Sequence, residues 1–294
     1  MMKPQRLRRE GFEKQLAVVA TIAIVALTAI LLFLVSQALP LLKDQPALQF
    51  LFGTDWYPTG DEADFEIGAL LAASLAVAAT TTLISLPLGL LTAAYIAYFA
   101  NPGIRQILKP AVELLAALPS VIIGFLGMVV LAPWLQETFG LDTGLNWFNA
   151  SVMLSLMCIP FICSISEDAL RNVPTSLAEA SLALGATRWE TLCKVQFRYA
   201  LGGIATAVML GISRALGETM VVLMVAGGAA IIPESLFDPI RPMTASIAAE
   251  MAEAAIGSTH YHALFATGLV LFVTTFIFNA GAFYFTKKYQ FAKH

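Results

Sequence analysis

Residues 16–39, LAVVATIAIVALTAILLFLVSQAL, run for 24 positions without a charged side chain. A helix of that length rises about 36 Å against roughly 30 Å of bilayer hydrocarbon, so the stretch predicts a membrane-crossing helix. The basic residues before it also suit a secretory leader. Cleaved leaders hold only about 7–15 apolar residues, however, so the longer run predicts an uncleaved anchor. Five further apolar runs follow, at 67–99, 111–132, 148–166, 200–226 and 261–285. The run 67–99 is longer than a perpendicular crossing needs and contains Pro87, which predicts a tilt, a kink or an extension into the cytoplasm. Composition agrees, at 58% hydrophobic and 13% charged, where soluble domains carry roughly 25% charged residues. The expected fold is an all-α integral membrane protein of about six transmembrane helices, forming one membrane domain over 1–294.

The charges orient these spans. Lys3, Arg6, Arg8, Arg9 and Lys14 precede the first span, and Arg105 and Lys109 lie between the second and third. Arg171, Arg188, Lys194 and Arg198 separate the fourth from the fifth, and Lys287, Lys288 and Lys293 follow the sixth. Fourteen of the 17 basic residues thus fall on one side, and only Lys43 and Arg241 in the opposite loops. The first of those opposite loops is acidic, with Asp44, Asp55, Asp61, Glu62, Asp64 and Glu66. The positive-inside bias predicts a multi-pass protein of the cytoplasmic (inner) membrane with both termini and the 171–198 segment in the cytoplasm.

Several chemistries find no support. Cys158, Cys163 and Cys193 are odd in number and fall in a span and a cytoplasmic segment, so no disulfide framework is expected, and their spacing fits no metal site. His260, His262 and His294 are read as packing or loop residues. No metal or other cofactor is expected, and no catalytic cluster is present. No Gly-rich loop ending in Lys-Ser/Thr occurs, so any ATP that drives this protein must bind another chain.

The 171–198 segment contains two sequences of the capping-box type, Ser176 with Glu179 and Thr187 with Glu190, each predicting a helix start. Gly185 between them predicts a left-handed turn that ends the first helix. Leu177, Ser181 and Leu184 then share one face, and Trp189, Leu192, Cys193 and Phe197 another. Two readings stay open for these faces: packing against the protein's own helix ends, or against a soluble partner.

In the fifth span, Gly-Ile-Ser-Arg-Ala-Leu-Gly-Glu-Thr-Met places Arg214 and Glu218 four residues apart, hence on one helix face. Each charge costs at least about 2.5–3.5 kcal/mol at the membrane centre, so both are expected to face the bundle interior or a watery path. A guanidinium suits a tetrahedral oxyanion, and an adjacent carboxylate keeps the anion from being trapped. A static pair that only locks helices together is the competing reading. In the last outer loop, 244–255 predicts a short surface helix capped by Thr244. Pro119, Gly124 and Gly127 predict a bend or close helix approach in the third span.

Glu179-Ala180-Ser181, then Gly185 and, ten positions on, Val195, resemble the Glu-Ala-Ala loop of the membrane subunits of binding-protein-dependent ABC importers. Ser181 stands where the second alanine is usual, and Phe197-Arg198 where Leu-Pro is common. The resemblance implies that Glu179, Ala180, Ser181, Gly185 and Ala186 form a coupling element docked on an ATPase subunit. Arg214-Ala215-Leu216-Gly217-Glu218-Thr219-Met220, Leu118 to Gly124 and Ala183 to Thr187 resemble the phosphate-importer permeases of the PstC type. Trp56-Tyr57-Pro58 and Met243 to Ile247 are similar to them as well. Sulfate and molybdate permeases share the arginine and glutamate but usually continue with Phe-Gly, where this chain has Thr219-Met220.

The resemblance implies a type I ABC importer permease fold and a non-enzymatic subunit that moves phosphate by alternating access past Arg214, Glu218, Thr219 and Ser120. The implied partners are a second homologous permease subunit in a heterodimer, ATPase subunits, an extracytoplasmic phosphate-binding protein and the lipid bilayer, without nucleic acid. A permease for another oxyanion and an ion-coupled secondary transporter with Glu218 as its titrating group are the alternatives.

Overall fold

A computed structural model describes residues 4–58 and 63–290. Lys3, Asp61, Glu62, Lys293 and His294 lie outside the described residues. Among the described residues six helical runs are long and apolar enough to cross a membrane: Gln15–Lys43, Gly68–Phe99, Ser120–Phe139, Trp147–Arg171, Arg188–Gly217 and Thr259–Gly281.

Helix α1 (Pro4–Asp44) carries the first span and leads into the short α2 (Ala47–Phe52). A hairpin of two-residue strands, β1 (Trp56–Tyr57) and β2 (Asp64–Phe65), follows between the first and second spans, with Trp56 opposite Phe65. Helix α3 (Gly68–Ala94) continues through a π-helical turn at Tyr95–Phe99, so 67–99 is one helical run with Pro87 inside it. Helix α4 (Pro102–Ala116) starts at Asn101, whose side chain accepts the Ile104 N–H at 2.9 Å.

The predicted third span needs correction. Residues 111–116 belong to the amphipathic α4, and the crossing runs from Ser120 to Phe139 through α5 (Ser120–Leu126), a π turn (Gly127–Leu131) and α6 (Ala132–Phe139). Pro119 is the cause: its ring and missing N–H keep Leu118 out of the helix and restart the chain after it. Val112 of α4 packs against a buried cluster around Ile96, Leu170 and Leu192 while Leu114 is 70% exposed, so the apolar letters of 111–116 split between two environments.

Helix α7 (Trp147–Arg171) is the fourth span. The segment between the fourth and fifth spans contains α8 (Thr175–Ala183) and α9 (Arg188–Thr191). The second of these is no separate element: a π turn at Leu192–Gln196 joins it to α10 (Phe197–Gly217), so the fifth span starts within that segment. Phe197-Arg198 is helix-compatible, and the chain runs on there without a turn. The predicted 200–226 helix is also interrupted, because Glu218 is extended and Thr219 irregular before α11 (Met220–Val225) resumes. A loop leads to α12 (Met243–Glu250), and α13 (Thr259–Gln290) is the last span.

The centre of the bundle is built from α3, α7, α10 and α11, with Val77, Leu154, Met157, Leu216, Val221 and Val225 nearly sealed from the outside. Small residues set the spacing. A methyl group on Gly127 would sit 2.6 Å from Met153 Cγ and 2.8 Å from Val225 Cγ1, which explains why the third span needs glycine there. Helix α1 stands at the periphery against α13, with Phe33 edge-on to Phe265 at 5.6 Å. Most of the apolar side chains from Leu16 to Phe33 are exposed, as a lipid-facing helix requires, while Ala38 and Leu41 near its end are buried in the bundle.

Candidate functional site

Arg214 sits in the last turn of α10, where a cation complements the negative end of the helix. Its guanidinium carbon lies 4.3 Å from the centroid of the Phe161 ring on α7. Phe161 stands about four turns into α7, roughly 21 Å from its N-terminal end, so the charge is well inside the apolar span. The side chain is half-buried, and its Nε is enclosed without a hydrogen-bond partner. The terminal nitrogens have no protein acceptor among the described residues yet are not enclosed. A half-buried, always-charged fork with open donors is therefore held on an aromatic face rather than on a carboxylate.

Glu218 departs from expectation. The helix ends at Gly217, and Glu218 takes φ −72°, ψ 133°, so it does not share an α10 face with Arg214. Among the described residues no ion pair or hydrogen bond joins the two side chains. The released Glu218 carbonyl accepts from Thr244 Oγ1 at 2.8 Å. Thr244 consequently does not cap α12, whose preceding residue is Pro242. Only the first half of α12 is embedded, with Met243 to Ser246 buried against α3, α11 and α13, whereas Ala248 and Ala249 in its second half are exposed. Thr219 is half-buried, its hydroxyl 3.5 Å from the Gly217 carbonyl. Ser120 opens α5 one turn before Gly124, which packs at Val221 and Met224. It makes no hydrogen bond to Arg214, Glu218 or Thr219. Neighbouring contacts fix α10, with Ser213 donating to Asn279 at 2.7 Å on α13.

In the segment between the fourth and fifth spans Gly185 has φ +84° and terminates the turn after α8, as its position predicts. The Thr187–Glu190 capping box forms, with Thr187 Oγ1 accepting the Glu190 N–H at 3.2 Å and the carboxylate accepting the Thr187 N–H at 3.0 Å. The Ser176–Glu179 box does not. Pro174 sets the start of α8 with its ring-fixed φ of −56°, which leaves Ser176 inside the first turn. Glu179, Ala180 and Gly185 are exposed, Ala186 is half-buried, and Ser181 shares a hydrogen bond with Thr191 at 3.0 Å, tying α8 to α9. The apolar faces divide: Leu192 is sealed in the bundle, whereas Leu184 is 91% and Trp189 57% exposed.

Two charge clusters escaped notice in the sequence. Near the C-terminal end of α7, Glu167 is only 2% exposed and accepts from Lys109 at 2.7 Å and from Arg171 at 3.3 Å, pinning α4 to α7. The Glu167 carboxylate holds the Lys109 ammonium above its usual range. At the opposite end of the bundle Glu250 binds Arg241 at 2.7 Å, His260 Nε2 at 2.8 Å and Trp56 Nε1 at 3.1 Å. Phe65 stacks on His260, which bears out a packing role for that histidine. Glu66 accepts from Gln49 and the Asp55 N–H, and these bonds lower its pKa. Glu250 gives no local signal in the sequence, because Trp56 lies 194 residues away and is brought to it only by the fold.

Residues 85–290 match the family model described as binding-protein-dependent transport system inner membrane component. The probable ABC transporter permease protein YqgH of Bacillus subtilis is 38% identical over 261 residues, covering 88% of this chain and 84% of its own length. The phosphate transport system permease protein PstC of Mesorhizobium japonicum is 36% identical over 254 residues, 80% of this chain and 77% of its own. Among solved structures, a bacterial ABC transporter involved in import of the acidic polysaccharide alginate superposes with a TM-score of 0.63 at 16% identity, covering 96% of this chain and 99% of that one.

Proposed function

The chain belongs to the inner membrane components of binding-protein-dependent transport systems, and from that premise we propose that it is a permease subunit through which inorganic phosphate enters the cell. It is a multi-pass, non-catalytic subunit of the type I ABC importer fold, and such systems work with an ATPase and a periplasmic binding protein. Phosphate is the anion because the residues around the guanidinium continue as Thr219-Met220 and because PstC relatives carry that function in their names.

The observation that carries the reading is the Arg214 guanidinium, seated on Phe161 with open terminal nitrogens. In a low-dielectric surround those donors attract a tetrahedral oxyanion strongly. Glu218, one helix break away, accepts a hydrogen bond from a protonated phosphate and disfavours fully deprotonated sulfate. Thr219 and Ser120 line the same path. The exposed Leu184 and Trp189 beside Glu179, Ala180, Ser181, Gly185 and Ala186 form the surface on which the ATPase docks. ATP-driven closure of the ATPase pair then moves α8 and the long helical run from Arg188 to Gly217 as one lever, and this alternates access to Arg214. Termini lie in the cytoplasm, in line with the basic residues on that side. The apolar groove of about 630 Å³ along Leu118, Ile123, Val130, Trp134 and Met153 is where the second homologous permease packs.

Reconstitution with the companion permease, ATPase and a phosphate-binding protein tests this reading. ATP-dependent phosphate uptake, at least tenfold above sulfate uptake and reduced in selectivity by Glu218→Gln, is expected. Uptake without the ATPase, or sulfate and molybdate entering in preference to phosphate, refutes it.

A further inference from the structure

Two half-helices, α11 and α12, form a hydrogen-bonded ring that starts and ends at Glu218. From the break, α11 leads to Ala226 and Gly228, which are joined to Ile240 by the Ile240 N–H to Ala226 carbonyl bond at 2.8 Å and the Gly228 N–H to Ile240 carbonyl bond at 3.0 Å. Arg241 then donates Nε to the Gly228 carbonyl at 2.7 Å and a terminal nitrogen to Glu250 at 2.7 Å. Glu250 is the last residue of α12 and also holds Trp56 and His260 at the outer surface. At the other end of α12 the Met243 N–H donates to Ser74 Oγ at 2.8 Å, and Thr244 Oγ1 donates to the Glu218 carbonyl. Helix α12 therefore has one end fixed in the outer charge cluster and the other on the backbone of the break.

A carbonyl released by a helix break has lost its intrahelical donor and is best satisfied by a fixed donor from elsewhere in the fold. Thr244, only 6% exposed, is the residue that supplies it. Without that bond the preferred course of the chain is to close the intrahelical hydrogen bonds and run α10 into α11, returning Glu218 to the Arg214 face of the helix.

We infer that Thr244 is a positioning residue, which holds the fifth span open at Glu218, and that α12 is a rigid strut through which the outer Trp56–Arg241–His260–Glu250 cluster sets the placement of the Glu218 carboxylate. A protein docking on the outer face that shifts Glu250 thereby shifts the break, two helical turns away, without touching the pathway. The inference rests on the permease reading above for its consequence in transport, but its structural half does not.

Thr244→Val, which keeps the shape and removes the donor, and Thr244→Ser, which keeps the donor, separate the two halves. Hydrogen exchange of the purified complex is measured over 214–226 alongside phosphate uptake. For Thr244→Val we expect the exchange rate over 214–226 to change by about fivefold, the worth of one hydrogen bond, with exchange in α3 and α7 unchanged. Saturating uptake falls by about the same factor, and Thr244→Ser restores both. Glu250→Gln, which weakens the strut from its outer end, produces the same localised exchange change and serves if Thr244→Val does not assemble. Unchanged exchange over 214–226 in both variants, or a change spread equally over the bundle, overturns the strut. A localised exchange change with no phosphate uptake even in the wild type leaves the strut standing and removes the phosphate reading instead.

Discussion

Replacing Phe161 by leucine removes the aromatic face beneath the Arg214 guanidinium while keeping an apolar side chain on α7. Contacts of this kind contribute about 0.5–1 kcal/mol when exposed and about 2 kcal/mol when desolvated. With the guanidinium carbon 4.3 Å from the ring centroid and Nε enclosed, but the terminal nitrogens open, Arg214 falls between these limits. A loss of about 1–1.5 kcal/mol corresponds to roughly a 5- to 12-fold fall in the fraction of guanidinium held in place. Saturating phosphate uptake in proteoliposomes containing the whole complex is expected to fall by that factor, with ATPase co-purification unchanged. Phe161→Tyr keeps a ring and is expected to transport within twofold of wild type. Equal uptake by the leucine variant and the wild type, or a tyrosine variant as slow as the leucine one, refutes a positioning role for the ring.

Glu167→Gln strips Lys109 and Arg171 of their shared counter-charge. Because Lys109 retains 31% exposure, the cost is about 1–3 kcal/mol rather than that of a fully buried pair, and thermal unfolding in detergent should shift down accordingly. An unchanged midpoint would show that α4 is held by apolar contacts alone. Gly185→Ala meets no atom within 4 Å, so its effect is purely that of forcing φ +84° on a residue with a Cβ, about 1–2 kcal/mol. Co-purification of the ATPase should weaken several-fold, and full retention would mean that the turn does not shape the docking surface. The Glu66 carboxyl has a lowered pKa in the folded state, chiefly through its bond from Gln49, so its contribution to stability is present above the unfolded-state value and lost as pH falls through the folded one. Glu66→Gln should flatten the acid limb of the melting-point profile below about pH 4.5. An identical acid limb in variant and wild type would contradict that.

Hydrophobic run length made the crossings legible, since the bilayer leaves few alternatives to a helix about 20 residues long. The third crossing was displaced because Val112 and Leu114 look the same in sequence although one faces the core and the other does not. Gly185 and the Thr187–Glu190 box were readable because their causes are local. The break at Glu218 was not, because the donor that stabilises it is Thr244, 26 residues further on. Phe161 gave no signal either, as one aromatic residue in an apolar run. Arg214 stood out through the cost of its charge in lipid, whereas its seat on Phe161 belongs to tertiary packing alone.

Phosphate uptake by a complex carrying Arg214→Gln, compared with wild type at equal amounts of assembled complex and equal basal ATP hydrolysis, addresses the guanidinium itself. The account predicts uptake reduced at least a hundredfold, with partial recovery in Arg214→Lys, because a point charge restores attraction without the paired donors. Transport at the wild-type rate through the glutamine variant would contradict it.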